Sequence, residues 1–165
     1  MDMSSPGPFR IANDWPHIVI PYSYADHEFA HKLAGALRRD LIAPRIDEVD
    51  MSAGVFLVNR LSHAARPVDF VVPAISITSV TSDWVQHELR TAVARGVNGR
   101  PIRVLPAKVD DSALPDYLRS QPCFDFHGHG WNVAYDDLRV IVQRRTNPGL
   151  TLRPHDHLLR RRWGS

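Results

Sequence analysis

The chain has 165 residues, of which 44% are hydrophobic and 23% charged. These proportions are typical of one globular domain and exclude disordered, collagen-like and coiled-coil proteins. A net charge of only +2 argues against nucleic acid as a partner. No run approaches the roughly 18 apolar residues of a membrane helix, so no membrane association is expected.

The order of elements predicts one domain between two irregular segments. We expect a flexible lead-in over residues 1–15, a folded domain over 16–145 and an irregular basic tail over 146–165. The lead-in lacks the apolar core of a secretory signal. The single cysteine, Cys123, allows no intrachain disulfide. Both features favour a cytoplasmic protein.

Short apolar runs and helix-period stripes alternate about five times along the domain. The apolar runs predict buried strands at His17–Ile20, Pro44–Ile46, Asp69–Ile75, Pro101–Pro106 and Cys123–Phe126. The stripes predict amphipathic helices at Asp26–Leu41, Val55–His63, Asp83–Arg95, Ala113–Arg119 and Trp131–Arg145. Such alternation predicts an α/β fold with a mainly parallel five-stranded sheet and helices on both faces.

Local residue choices predict where several elements end. Asp26 is the expected N-cap of the first helix. A polar turn is expected from Ser76 to Ser82, and Gly96 should stop the helix that follows it. Pro73 must fall at a strand end or a bulge. The last helix is expected to bury Val133, Leu138, Ile141 and Val142.

Ligands of parallel sheets bind beyond the carboxyl ends of the strands, so polar residues that follow the strands are candidates for a site. They are Tyr22, Ser23 and Tyr24 after the first strand, Asp47 and Glu48 after the second, and Ser76 to Asp83 after the third. The last group leads into Trp84 and Glu88. Taken singly, each has an ordinary structural interpretation, and a glutamate on a helix is usually solvated.

Three motifs, in the right order, resemble the Toll/interleukin-1 receptor (TIR) domain family. Val19-Ile-Pro-Tyr-Ser23 resembles the family's opening strand, and Ile46-Asp-Glu-Val-Asp50 with the loop through Gly54 resembles its second strand and BB loop. Ser82-Asp-Trp-Val-Gln-His-Glu-Leu89 resembles the Ser-x-Trp-Cys-x-x-Glu-Leu motif of a later helix. Pro21, Val55 and Val85 depart from the usual residues. The resemblance runs from about His17 to Phe126 and implies a flavodoxin-like three-layer sandwich.

Some TIR domains cleave NAD+ at the nicotinamide–ribose bond and require a glutamate in the matching helix, which here is Glu88. The resemblance therefore implies an NAD+ nucleosidase, similar to small prokaryotic members in antiphage defence and signalling. Its products would be nicotinamide and ADP-ribose or a cyclic isomer. NAD+ is the substrate, and no cofactor or metal is expected. The residues expected to contact it are Trp84, Tyr22, Ser23, Tyr24, Asp47 and Ser82.

Trp84 and Glu88 are four residues apart, which places them on one face of a helix, offset from the Val85/Leu89 stripe. An aromatic wall beside a carboxylate suits a flat cationic ring on a ribose. The family also implies self-association, with activation on assembly and a separate sensor or effector chain as partner. The interface would contain the BB-loop residues Val49, Asp50, Met51, Ser52, Ala53 and Gly54.

Two other functions stay open at this point. An adaptor TIR domain, or a virulence factor that mimics one, would act only by protein contact and would tolerate loss of Glu88 but not changes at 49–54. A nucleoside deoxyribosyltransferase-like enzyme would release a base from nucleosides. The spacing of His127, His129, His155 and His157 matches no standard zinc pattern, which argues against a metal site.

Overall fold

The computed structural model describes residues 15–48, 57–63, 67–96 and 99–146. The predicted loop from Val49 to Gly54 and the basic tail after Thr146 lie outside the described residues. So does the predicted lead-in, apart from its last residue.

Seven short parallel strands lie within the described part of the chain. They are β1 His17–Tyr22, β2 Ala43–Glu48, β3 Phe70–Val71, β4 Ala74–Ile75, β5 Arg103–Val104, β6 Ala107–Lys108 and β7 Phe124–Asp125. One sheet has the order β2-β1-β3-β5 and the other the order β4-β6-β7. Every pairing is parallel, which confirms the predicted class.

The predicted single sheet of five strands differs from the structure because proline interrupts two of the predicted strands. Pro73 separates β3 from β4, and Pro106 separates β5 from β6. Proline has no backbone N–H to donate, so strand pairing breaks at each position. Backbone bonds continue around the breaks, including one from the Ala107 N–H to the Pro73 carbonyl at 2.9 Å. Five chain segments therefore still lie side by side.

Five α-helices accompany these strands in the described residues. They are α1 His27–Arg39, α2 Leu57–Ser62, α3 Ile77–Val80, α4 Asp83–Arg95 and α5 Trp131–Thr146, with 3-10 turns at Tyr24–Asp26 and Asp116–Leu118. The bounds predicted for α4 are confirmed. Gly96 ends this helix with a φ of +66°, a backbone conformation that suits glycine.

Three predicted helical features are wrong in detail. The expected helix Ala113–Arg119 shrinks to the 3-10 turn Asp116–Leu118. The expected polar turn contains α3, because Ser76 and Ser79 cap each other's backbone N–H groups reciprocally. Val133 is 50% exposed. It lies five residues before the buried Leu138, a rotation of about 140° around the helix.

Two apolar cores flank the strands. Ile18 and Phe70 face α1 and α5, where Leu33 and Leu138 are among the buried residues. Val19 and Val71 point the opposite way, toward α2 and α4. This alternation along each strand produces three layers. It places the start of α1 and the start of α4 on opposite faces of the same strand edge.

Candidate functional site

The candidate site lies where β1 and β4 end. After β1 the chain makes the 3-10 turn Tyr24–Asp26 and enters α1, and after β4 it passes through Ser76 into α3. β1 pairs in parallel with β3, which leads directly into β4. Both connections therefore leave the same carboxyl edge, where ligands of such sheets bind.

Asp26 joins these two connections. Asp26 is 8% exposed, and its Oδ2 atom accepts hydrogen bonds from Ser23 Oγ at 2.9 Å and from Ser76 Oγ at 2.5 Å. The prediction that Asp26 caps α1 is correct for its position, but its side chain makes no cap bond. A buried carboxylate needs such donors to offset lost hydration.

The hydrogen-bonded chain continues from Ser76 into α4. The Ser76 N–H donates to Ser79 Oγ at 2.8 Å, and the Ser79 N–H donates to Ser76 Oγ at 3.3 Å. The Gln86 side-chain amide on α4 donates to the Ser79 carbonyl at 3.2 Å. On its other side, the Gln86 amide oxygen accepts from the Tyr117 hydroxyl at 2.7 Å. Gln86 thus attaches α4 to both neighbouring connections.

Glu88 lies on the inner face of α4. It is 5% exposed and shares this face with Val85, Leu89 and Ala92, which are 8%, 1% and 0% exposed. The interpretation of Glu88 as a solvated helix residue is therefore wrong, and so is its expected offset from the apolar stripe. Glu88 lies three residues after Val85 and four before Ala92, so it points the same way. The Glu88 side chain is therefore largely withheld from bulk water.

The other predicted contacts of the substrate have different surroundings. Tyr22 is 7% exposed and packs edge-on against His31, whereas Tyr24 is 72% exposed and stacks on His27. The two tyrosines therefore do not form one surface.

Ser23 and Ser82 are half-buried. Ser23 donates to Asp26, and Ser82 Oγ accepts from the Val85 N–H at 3.4 Å as the cap of α4. Asp47 belongs to β2 and Trp84 to α4, and the structure describes both by backbone alone. Their contacts with substrate remain predictions.

Sequence reasoning named Ser76 and Ser79 at this edge, within the polar segment after the third strand, but missed the roles of Asp26 and Gln86. Asp26 was expected only as a helix cap. Its one further indication in the sequence is position, since it follows a buried strand closely. The hydroxyls of Ser76 and Ser79 bind neighbouring groups in the protein.

Cysteine and histidine side chains lie elsewhere in the described residues. Cys123 lies just before β7, not inside a strand as predicted, and burial raises the pKa of its thiol to about 11, so it stays protonated and unreactive at neutral pH. His127 and His129 are exposed. Over the four described ranges, His, Cys, Asp and Glu side chains form no group of three or more placed to hold a metal ion.

One protein family matches most of the chain. A family model described as TIR domain matches residues 18–139. That range includes β1 from Ile18 onward, the Asp26 connection, all of α4 and the first nine residues of α5. No curated protein matches the chain. Among the described residues, no helix has both the length and the apolar character that crossing a membrane requires.

Proposed function

The chain belongs to the TIR domain family, and on this premise we propose that it is an NAD+ nucleosidase that cleaves the nicotinamide–ribose bond. The observation that carries the proposal is the burial of Glu88 in α4. Burying a carboxylate costs free energy, which the contacts of Glu88 with the surrounding protein must offset. A glutamate that matches the family's essential one, and that the fold withholds from water, supports a role in this reaction.

The reaction places positive charge next to the carboxylate. The bond between ribose C1′ and the nicotinamide nitrogen breaks, and its electron pair leaves with nicotinamide as a neutral base. No general acid is required for this departure. The sugar becomes oxocarbenium-like in the transition state. A fixed carboxylate stabilises that cation more in apolar surroundings than in water.

The fate of the sugar cation sets the product. Water that attacks C1′ forms a new C–O bond and releases one proton, which gives ADP-ribose. Attack by a nitrogen of the substrate's adenine, or by a ribose hydroxyl that then loses its proton, gives a cyclic isomer. In this proposal Trp84, one helical turn before Glu88, supplies an aromatic surface for the nicotinamide ring.

Assembly completes the proposal. TIR domains commonly self-associate, and we propose that residues 49–54 of one protomer pack beside the site of another. Activity should then rise with protein concentration. A separate sensor or effector chain would provide the trigger in a prokaryotic antiphage or signalling system.

The test is nicotinamide release from NAD+, followed by chromatography at high protein concentration with and without a crowding agent. Glu88→Gln keeps the shape of the side chain and removes its charge. We expect it to lower kcat by roughly 10²- to 10³-fold, the usual effect of removing one electrostatic contact to a transition state. Glu28→Gln is the matched control, since Glu28 is an exposed glutamate in the first turn of α1. It should retain full activity.

Each other outcome points elsewhere. If Glu88→Gln releases nicotinamide as fast as the native chain, the assigned role of Glu88 is contradicted. No release at any concentration favours the adaptor function, and changes at 49–54 should then abolish partner binding. Free base released from nucleosides, with NAD+ intact, favours the deoxyribosyltransferase-like alternative.

A further inference from the structure

Buried polar groups concentrate at one edge of the fold. Six buried polar or charged residues occur in the described ranges, and four of them belong to the connections after β1 and β4 or to α4. These four are Asp26, Ser76, Ser79 and Glu88. Buried polar groups are costly unless they form hydrogen bonds. Their accumulation here indicates that this edge has a task beyond joining strands to helices.

A continuous path of hydrogen bonds leads from Asp26 to the helix that carries Glu88. The first bond, from Ser76 Oγ to Asp26 Oδ2 at 2.5 Å, spans 50 residues of sequence. Ser76 and Ser79 then hold each other. Gln86 closes the path by donating to the Ser79 carbonyl. Gln86 lies two residues before Glu88, so the path ends within one turn of the proposed catalytic carboxylate.

The connection that this path controls is short. Seven residues, Ser76 to Ser82, separate β4 from α4, and α3 occupies the middle of them. A displacement of Ser76 must therefore be transmitted to the first turns of α4. The bond that restrains Ser76 is charge-assisted and connects the two helical layers across the strand edge.

We infer that Asp26 is a positioning residue, which acts through Ser76 to hold α4 and the Glu88 carboxylate in place for the reaction. The catalytic part of this inference rests on the proposed function. Small errors in the position of a catalytic group have large effects, since a displacement of about 1 Å can lower a rate by about 10²-fold. A fixed path from Asp26 limits such displacement.

The experiment compares Asp26→Asn, Ser76→Ala and the double variant with the native chain. Both single changes are small and avoid the loss of fold that a bulky replacement would cause. The matched control is Tyr135→Phe, because Tyr135 Oη donates to Asp40 Oδ2 at the same distance of 2.5 Å. That bond connects the far end of α1 to α5. Steady-state NAD+ cleavage is measured at a temperature at which all four variants stay folded.

Asp26→Asn and Ser76→Ala should each lower kcat by roughly ten- to hundredfold. KM should change by less than about twofold, because Glu88 acts mainly in the transition state. The double variant should lose little more than the worse single variant, since each change weakens the same bond between Asp26 and Ser76. Tyr135→Phe should keep native kcat. Two outcomes would overturn the inference. One is a fall in kcat in the double variant equal to the product of the two single falls, and the other is a fall in Tyr135→Phe as large as in Asp26→Asn.

Hydrogen exchange separates this inference from the proposed function. In Asp26→Asn and Ser76→Ala, amides of residues 86–89 should exchange faster than in the native chain, and in Tyr135→Phe they should not. If the native protein fails to cleave NAD+, the proposed function is contradicted. Faster amide exchange at residues 86–89 in Asp26→Asn and Ser76→Ala would still support the anchoring of α4. Unchanged exchange together with unchanged kcat would exclude any positioning by Asp26.

Discussion

Removal of the Ser76 hydroxyl tests how strongly the carboxyl edge is held together. In Ser76→Ala the Asp26 carboxylate loses the donor at 2.5 Å and keeps the one from Ser23. The N-terminus of α3 also loses the oxygen that accepts from the Ser79 N–H. Ser76 is 3% exposed, so water cannot readily replace the missing hydroxyl.

Two contributions set the size of the effect. A hydrogen bond to a charged group contributes about 1.5–3 kcal/mol. A serine N-cap contributes about 1 kcal/mol, and the 3.3 Å bond to the Ser79 N–H places this one near the lower end of the usual range. We therefore expect Ser76→Ala to lower the free energy of unfolding by about 2–4 kcal/mol. The corresponding fall in Tm is roughly 5–15 °C for a domain of this size.

Urea denaturation followed by circular dichroism measures this loss, and calorimetry supplies Tm. Ser120→Ala is the control, because it removes a serine hydroxyl from an exposed residue and should change stability by less than about 0.5 kcal/mol. A loss in Ser76→Ala as small as that of Ser120→Ala would show that the bond to Asp26 contributes nothing. Asp26 would then have no means of holding α4 through Ser76.

Three other predictions concern stability and reactivity. Burial and the bond to Asp40 raise the pKa of Tyr135 above its usual value of 10. The native chain should therefore exceed Tyr135→Phe in free energy of unfolding by a constant amount below about pH 10 and by less above it. Urea titrations at pH 8 and pH 11 measure this difference, and an equal difference at both pH values would contradict the prediction. Gly96 and Gly99 both have positive φ, but only at Gly96 would an added Cβ meet a backbone oxygen. Gly96→Ala should thus lower stability by more than the roughly 1–2 kcal/mol expected for Gly99→Ala, and equal losses would contradict this contact. Iodoacetamide should alkylate Cys123 in the folded chain at a rate that still rises between pH 10 and pH 11. A rate that levels off by about pH 10, as expected of an unfolded-chain thiol with a pKa of about 8.5, would refute a pKa of about 11.

The elements that local sequence determines were predictable. The bounds of α4 are those expected, because Ser82 caps its start and Gly96 ends it with positive φ. The interruptions of the sheet were harder to place. Pro73 was expected at a strand end or a bulge, and it separates β3 from β4. Pro106 was expected to end a strand, but pairing resumes at Ala107, because neighbouring strands supply partners on both sides of the break.

The site was less predictable, because its connections are distant in sequence. The pattern around Glu88 identifies the residue, but its burial depends on how α4 packs against the strands. The cap assigned to Asp26 follows from its place before α1, whereas its bond to Ser76 joins residues 50 positions apart. No local pattern encodes that distance. Local sequence therefore located α1, α4 and α5, and only tertiary packing revealed the hydrogen-bonded connection between α1 and α4.

The two ends of α1 clarify how the fold separates stability from the proposed reaction. A carboxylate near each end accepts a hydroxyl at 2.5 Å, Asp26 from Ser76 and Asp40 from Tyr135. The chemistry of the two bonds is alike, so each should contribute comparably to holding α1 in place. Only the bond of Asp26 continues, through the Ser76 connection, to the helix that carries Glu88. If both bonds mattered equally to catalysis, general rigidity would explain the result. A loss of kcat confined to changes at the Asp26 bond would show that the site depends on which helix this bond leads to, and not on how strong the bond is.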